Sequence, residues 1–204
     1  MPQSPYQVNI GLLNGAAIGI PAAPDRSLLV SESLPALYNA TLLGNSFFAA
    51  NPTGVTTSAG LATTYVGLCL SNPAVSTVNL ILTRISAALI VDPATITNIS
   101  LITGFAAGGI TAHTTPLSTY SAIIGGAAVS QGLVDSACTL VGTPVWSDVL
   151  AQGTSAILAA NFNQSVPGDL IIPPGGYVAI GTNIAGPASG FKGAFRWIER
   201  PLAG

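Results

Sequence analysis

The reactive side chains of this sequence are few: one histidine, two cysteines and seven carboxylates in 204 residues. His113 lies in the polar stretch Thr111-Ala-His-Thr-Thr-Pro116, and a Ser-His-Asp relay would need the fold to bring Asp92 or Asp135 to it. No Gly-x-Ser-x-Gly elbow accompanies it, so the expectation is an exposed loop position. Glycoside cleavage needs two carboxyl groups held close together. The seven acids are dispersed, and Asp92, Asp148 and Asp169 sit beside turn residues, as capping and turn carboxylates do. Gly125-Gly126 and Gly175-Gly176 belong to no phosphate-loop pattern. Cys69 and Cys138 each lie in an apolar, strand-like run and read as buried free thiols, with a disulfide between them left open by the sequence; with one histidine they make a poor zinc set. Asn39-Ala-Thr41, Asn98-Ile-Ser100 and Asn163-Gln-Ser165 match the glycosylation sequon by chance, since Met1-Pro-Gln-Ser-Pro-Tyr6 lacks a basic leader. The expectation is therefore no enzyme, no cofactor and no metal.

Trp197, Glu199 and Arg200 form the most suggestive group. A strand ending in aromatic-x-Glu-Arg could set Glu199 and Arg200 at a subunit boundary, where an ion pair fixes register; in open water such a pair is worth ~0–1 kcal/mol. Two strands must position this group. The first is predicted over about residues 176–182, after the rigid turn Pro173-Pro174-Gly175-Gly176, with Tyr177, Ala179 and Gly181 on one face and Val178, Ile180 and Thr182 on the other. The second places Phe191, Phe195 and Trp197 in one period-2 register and Lys192, Arg196 and Ile198 in the other. Together they predict a closing hairpin, with Tyr177, Phe195, Arg196, Trp197, Glu199 and Arg200 as hairpin or subunit-interface residues.

Charge is the unusual quantity. Only 6% of residues are Asp, Glu, Lys or Arg, against ~25% in an ordinary globular domain. Neither Ser33–Thr83 nor Pro93–Val134 contains one. Solubility usually rests on charge, so this chain is expected to be hidden in lipid, buried in an assembly, or covered by neutral hydroxyls and amides. Apolar runs such as Ile85–Val91 fall far short of the ~20 residues of a membrane helix. A membrane barrel would show regular alternation and aromatic girdles, yet aromatics are 6% and unevenly placed. With a net charge of −2 and no basic stripe along the chain, nucleic acid is not an expected partner. An assembly is the favoured reading.

Residues 1–45 are rich in Pro, Gly and Ala and read as an extended N-terminal arm or subdomain, or equally as a first strand pair of the main domain. Short strands are expected at Tyr6–Ile10 and Ser27–Val30, and a brief helix within Glu32–Leu43. Residues 46–204 alternate strand runs with turn chemistry: Phe47–Ala50, Leu61–Leu70, Val78–Val91, Ile96–Thr103, Ala137–Gly142, Val145–Leu150 and Ala156–Phe162. Leu80, Leu82, Ile85 and Leu89 also fit helical spacing in part, but β-branched neighbours and the Asp92-Pro93 stop favour strand. Gly104–Tyr120 reads as a small-residue loop, and Ser121–Val134 as a strand or short helix. The fold class is all-β: an antiparallel sandwich of jelly-roll type with about eight to ten strands.

The ending, Ile172-Pro-Pro-Gly-Gly-Tyr-Val-Ala-Ile180 followed by Phe195-Arg-Trp-Ile-Glu-Arg200, resembles the end of a group of tailed-bacteriophage virion proteins. These carry a Pro-Gly turn into an apolar strand, then a last strand closing on Trp-x-Glu-Arg. The neutral, β-rich stretch Val78–Thr103 is similar to their central part. The resemblance implies a jelly-roll-like sandwich, often a homotrimer, attached to a phage head or neck, with no catalytic residues. The expected function is a capsid decoration (cement) protein on the outer surface of the virion, with the major capsid protein and its own copies as partners. The alternative is the receptor- or glycan-binding head of a tail fibre or spike, which would want an exposed cluster of aromatic and amide groups.

Overall fold

Among the described residues, turn residues and alternating apolar runs mark out many strands and one short helix. The computed structural model describes residues 7–11, 17–21, 36–153, 161–165, 169–187 and 190–202. Two compact units result, residues 1–38 and 39–204, a division earlier than the boundary at residue 45 that composition suggests. The first unit contains β1 (Gln7–Gly11) and β2 (Ala17–Pro21), an antiparallel ribbon of its own with Gln7 opposite Pro21. The helix α1 (Ala36–Leu42) lies inside the predicted helical segment. The strand expected at Ser27–Val30 falls outside the described residues.

The second unit is built from β3 (Ser46–Ala50), β4 (Thr64–Ser71), β5 (Val78–Leu89), β6 (Thr97–Phe105), β7 (His113–Leu117), β8 (Tyr120–Ser121), β9 (Leu133–Thr139), β10 (Val145–Gly153), β11 (Asn161–Ser165), β12 (Ile171–Ile172), β13 (Gly176–Thr182) and β14 (Phe191–Pro201). They form two antiparallel sheets packed face to face, ordered β10-β6-β13-β4-β9-β7 and β11-β5-β14-β3-β8. Without β7–β9 and β12, the orders are β10-β6-β13-β4 and β11-β5-β14-β3. Numbered along the chain, these eight strands interleave as 5-4-7-2 and 6-3-8-1, the double Greek key of a jelly roll. The β7–β9 excursion is an insertion between the fourth and fifth of them. It extends both sheets on one side, β8 beside β3 and β9 beside β4.

The predicted closing hairpin is corrected by this topology. β13 pairs with β4 and β6, whereas β14 pairs with β3 and β5, so the last two long strands belong to opposite sheets. Each finds a partner on both sides, which satisfies more backbone donors and acceptors than a two-stranded ribbon could. The turn before β13 has the predicted chemistry. Gly175 at φ 88° follows Pro174, and Gly176 N donates to Pro173 O at 2.8 Å, which is a type II turn.

The inner face of β14 carries Phe191, Phe195 and Trp197, all fully buried, with Phe47 stacked on Trp197 at 6.2 Å. Leu68, Leu70, Ile99, Leu101, Val178 and Ile180 face them from the other sheet. In β5 the inward residues change phase, from Leu80 and Leu82 to Ile85, Ala87 and Leu89. The cause is a bulge. Arg196 lies opposite Arg84 and Trp197 opposite Leu82, which leaves Thr83 unpaired. The Thr83 hydroxyl takes up Arg196 O at 3.0 Å. This phase shift is what imitated helical spacing in the sequence.

Candidate interaction surface

The histidine comes first, because the fold does bring Asp135 to it. His113 is not on an exposed loop: it opens the edge strand β7, opposite Cys138 of β9. Its Nδ1 lies 2.7 Å from Asp135 Oδ2, and its Nε2 lies 3.0 Å from Ile110 O. A carbonyl only accepts, so Nε2 carries a proton and donates it. A general base needs a free ring nitrogen aimed at a nucleophile. Here both nitrogens are engaged, and the pair acts as a clasp holding Ile110 and its loop over the sheet. Asp135 is fully buried, and that burial raises its carboxyl above the ordinary value, with the His113 hydrogen bond pulling the other way.

Beneath this clasp the outer face of the first sheet carries a small second core of Tyr65, Cys69, Ile102, Cys138, Leu140 and Tyr177. Both cysteines are buried and unpaired, as expected. Burial pushes the Cys69 thiol up, and neighbouring Cys138 adds to the effect. Glycines let the tyrosines lie flat. Tyr177 stands opposite Gly104 and covers it, and its hydroxyl donates to Val141 O at 2.7 Å. Tyr65 curls over Gly67 at the β4 bulge, where its hydroxyl accepts from Leu68 N and donates to Ile180 O, both at 2.6 Å. Buried Asn51 spans the two sheets, donating to Gly67 O at 3.1 Å and accepting from Gly193 N at 3.0 Å.

The six residues singled out at the C-terminal strands separate by the side of the sheet they occupy. Tyr177, Phe195 and Trp197 are core residues of this chain. Glu199, 7% exposed, points inward as well. Its Oε1 accepts from Ser130 Oγ at 2.5 Å, Gln131 N at 2.9 Å, Gly132 N at 3.2 Å and Trp197 Nε1 at 3.4 Å. Glu199 thus anchors the long connection between β8 and β9, which crosses from one sheet to the other. That connection is neither the strand nor the helix expected for Ser121–Val134. Its polar end is pinned, with Gln131 Oε1 also accepting from Thr77 N at 3.0 Å. Its apolar part faces outward: Ile124 is 100% exposed and Val129 85%.

Arg196 and Arg200 take the opposite side of β14. The outward positions there are Lys192, Ala194, Arg196, Ile198 and Arg200, of which Lys192, Arg196 and Arg200 are exposed and Ile198 is buried, and Arg84 stands directly beside Arg196 on β5. Four of the chain's five cations therefore share one sheet face; the fifth, Arg26, lies outside the described residues. Next to Arg196 on β3 is Phe48, with the guanidinium carbon 5.7 Å from the ring centroid. Tyr120 on β8 stacks against Phe48 at 5.7 Å and is 57% exposed. The row Arg84–Arg196–Phe48–Tyr120 crosses four strands. The contact between Phe48 and Tyr120 is not legible in the sequence, because it depends on β8 pairing with β3 across some seventy residues.

Asp148 and Asp169 both line a cleft of about 190 Å³ with Ile85, Leu101, Ser147 and Leu150. Asp148 Oδ1 is turned back onto the N–H of Val149 at 2.7 Å. Among the described residues no group of three or more His, Cys, Asp or Glu side chains could hold a metal ion. No family model matches the chain, and neither a curated protein nor a solved structure matches it.

Proposed function

We propose that this chain is a structural virion protein, a capsid decoration protein that binds the outside of a phage head. The observation that carries the reading is the connection between β8 and β9. A buried carboxylate fixes its base, while Ile124 and Val129 stand out of an uncharged stretch into solvent. An apolar projection pinned at its base loses less conformational freedom on docking than a free loop, and burying it on a partner releases its ordered water. The low charge, the jelly-roll sandwich and the likeness of the C-terminal strands to phage virion proteins support the same reading. Binding only the assembled shell would stabilise it by mass action.

Quantitative mass spectrometry of tailed-phage particles from the source of this gene tests it. A decoration protein is present in many copies per head, and a fibre head in only a few. Absence from the particles sinks both. Ile124→Asp together with Val129→Asp should leave the fold intact, as both side chains are in solvent, and abolish co-sedimentation with heads. Undiminished co-sedimentation of that variant would remove the loop from the argument.

A further inference from the structure

We propose that the outer face of the β11-β5-β14-β3-β8 sheet binds a linear polysaccharide that carries carboxylates. Lys192, Arg196 and Arg200 recur every fourth residue on one side of β14, so they stand about 13 Å apart at the usual strand rise. No Asp or Glu lies on the outward side of β5, β14, β3 or β8. The protein as a whole is acidic, with a net charge of −2, yet charges more than about 8–10 Å away are largely screened at physiological salt. Among the described residues of these four strands, an anion approaching the outward side meets cations and no carboxylate.

The chemistry around the cations selects the anion. Their spacing is sparse beside a DNA duplex, which carries a charge per roughly 1.7 Å of axis. It suits a polymer whose carboxylates are separated by whole sugar rings, so that one carboxylate every few rings meets a cation. Between the cations the face offers neutral hydrogen-bonding groups, Asn79, Ser86 and Ser46, for sugar hydroxyls. At the end of the row, stacking on Phe48 holds Tyr120, and its exposed ring offers an apolar surface to the C–H side of a sugar. Arg196, held against Phe48, presents a guanidinium fork matched to a carboxylate. This inference is independent of head decoration, and its failure would leave that reading standing.

The test is affinity electrophoresis of the full-length protein in native gels containing polygalacturonate, with neutral dextran and oligothymidylate as comparators, followed by titration calorimetry. Retardation by polygalacturonate alone, weakening as salt is added, is expected. Arg196→Gln should weaken binding about tenfold, the worth of one charge-assisted hydrogen bond. Tyr120→Ala should weaken it several-fold, and neither change should move the melting temperature much, since both side chains are exposed. No retardation by polygalacturonate, equal retardation by oligothymidylate, or variants that bind like the parent would each overturn the proposal.

Discussion

Truncating Glu199 to alanine withdraws one oxygen from four donors. Two of them have substitutes in place. Ser130 Oγ can still donate to Gly132 O at 3.2 Å, and Gly132 N still reaches Ser130 Oγ at 2.9 Å. Gln131 is exposed, so water can take over its N–H. The indole of Trp197, fully buried, has no such recourse. A hydrogen bond to a charged group contributes about 1.5–3 kcal/mol, and a buried donor left alone costs about 1–3 kcal/mol. With the repairs counted, the loss should be about 2–4 kcal/mol. For a chain of this length, 1 kcal/mol moves the midpoint about 2–4 °C, so a fall of roughly 5–15 °C is expected. Glu199→Gln keeps an acceptor but loses its charge, and should fall by about half as much. Scanning calorimetry reads the midpoint, and hydrogen exchange reads the amides of Gln131 and Gly132 in the loop between β8 and β9, which should lose protection first. A midpoint within about 2 °C of the parent, with that loop still protected, would refute the anchor. A changed oligomer mass at an unchanged midpoint would instead favour the subunit boundary expected from the Trp-x-Glu-Arg pattern.

Gly67→Ala should cost about 2–5 kcal/mol in urea unfolding. Its Cβ would fall well inside contact distance of the Tyr65 hydroxyl and 2.7 Å from Ile180 O, at φ 153°, and an unchanged midpoint would disprove the close packing at the bulge. Burial pushes Tyr177 up to about 12, and Tyr65 well above its ordinary 10. Because the folded values lie above the unfolded one, the stability that these hydroxyls contribute is complete below pH 10 and drains away as pH rises toward 12. Tyr177→Phe should make that decline shallower, and a Tyr177 phenolate absorbing near pH 10 in the folded protein would contradict its burial.

Much of the sandwich is legible in the sequence because its strands obey period 2 and end on strong turn residues. Gly176–Thr182 is found as predicted, since Pro173-Pro174-Gly175-Gly176 can do little but turn. Alternation in β14 is equally clear from Phe191 to Trp197. Which strand lies beside which is a different matter. Period 2 says that a strand has two faces and nothing about its neighbours, so two successive strands look like a hairpin although a jelly roll sends them to opposite sheets. The insertion is harder still. β7 carries Pro116 within a run of threonines, and the loop after β8 has apolar residues facing water, so neither shows the usual signs. Glu199 and Arg200 look alike as strand-end charges, and only the alternation of β14 turns one inward and the other outward. The His113–Asp135 clasp depends on β7 and β9 pairing, which no spacing along the chain announces.

The adjacency of β3 and β14 sets when this protein can fold. The first and last strands of the sandwich are neighbours, with Phe47 opposite Trp197. During synthesis β3 must therefore wait, one edge unpaired, until nearly all of the second unit has left the ribosome. Closing so long a loop before any reward in contacts is slow, as in other proteins dominated by distant strand pairs. In that interval β3 and β5 are apolar ribbons with open edges, exposed to pairing with other nascent chains. The scarcity of charge that suits a neutral docking surface removes the usual guard against that fate. Yield on expression should therefore depend on temperature and chaperone supply more steeply than the stability of the finished sandwich would suggest.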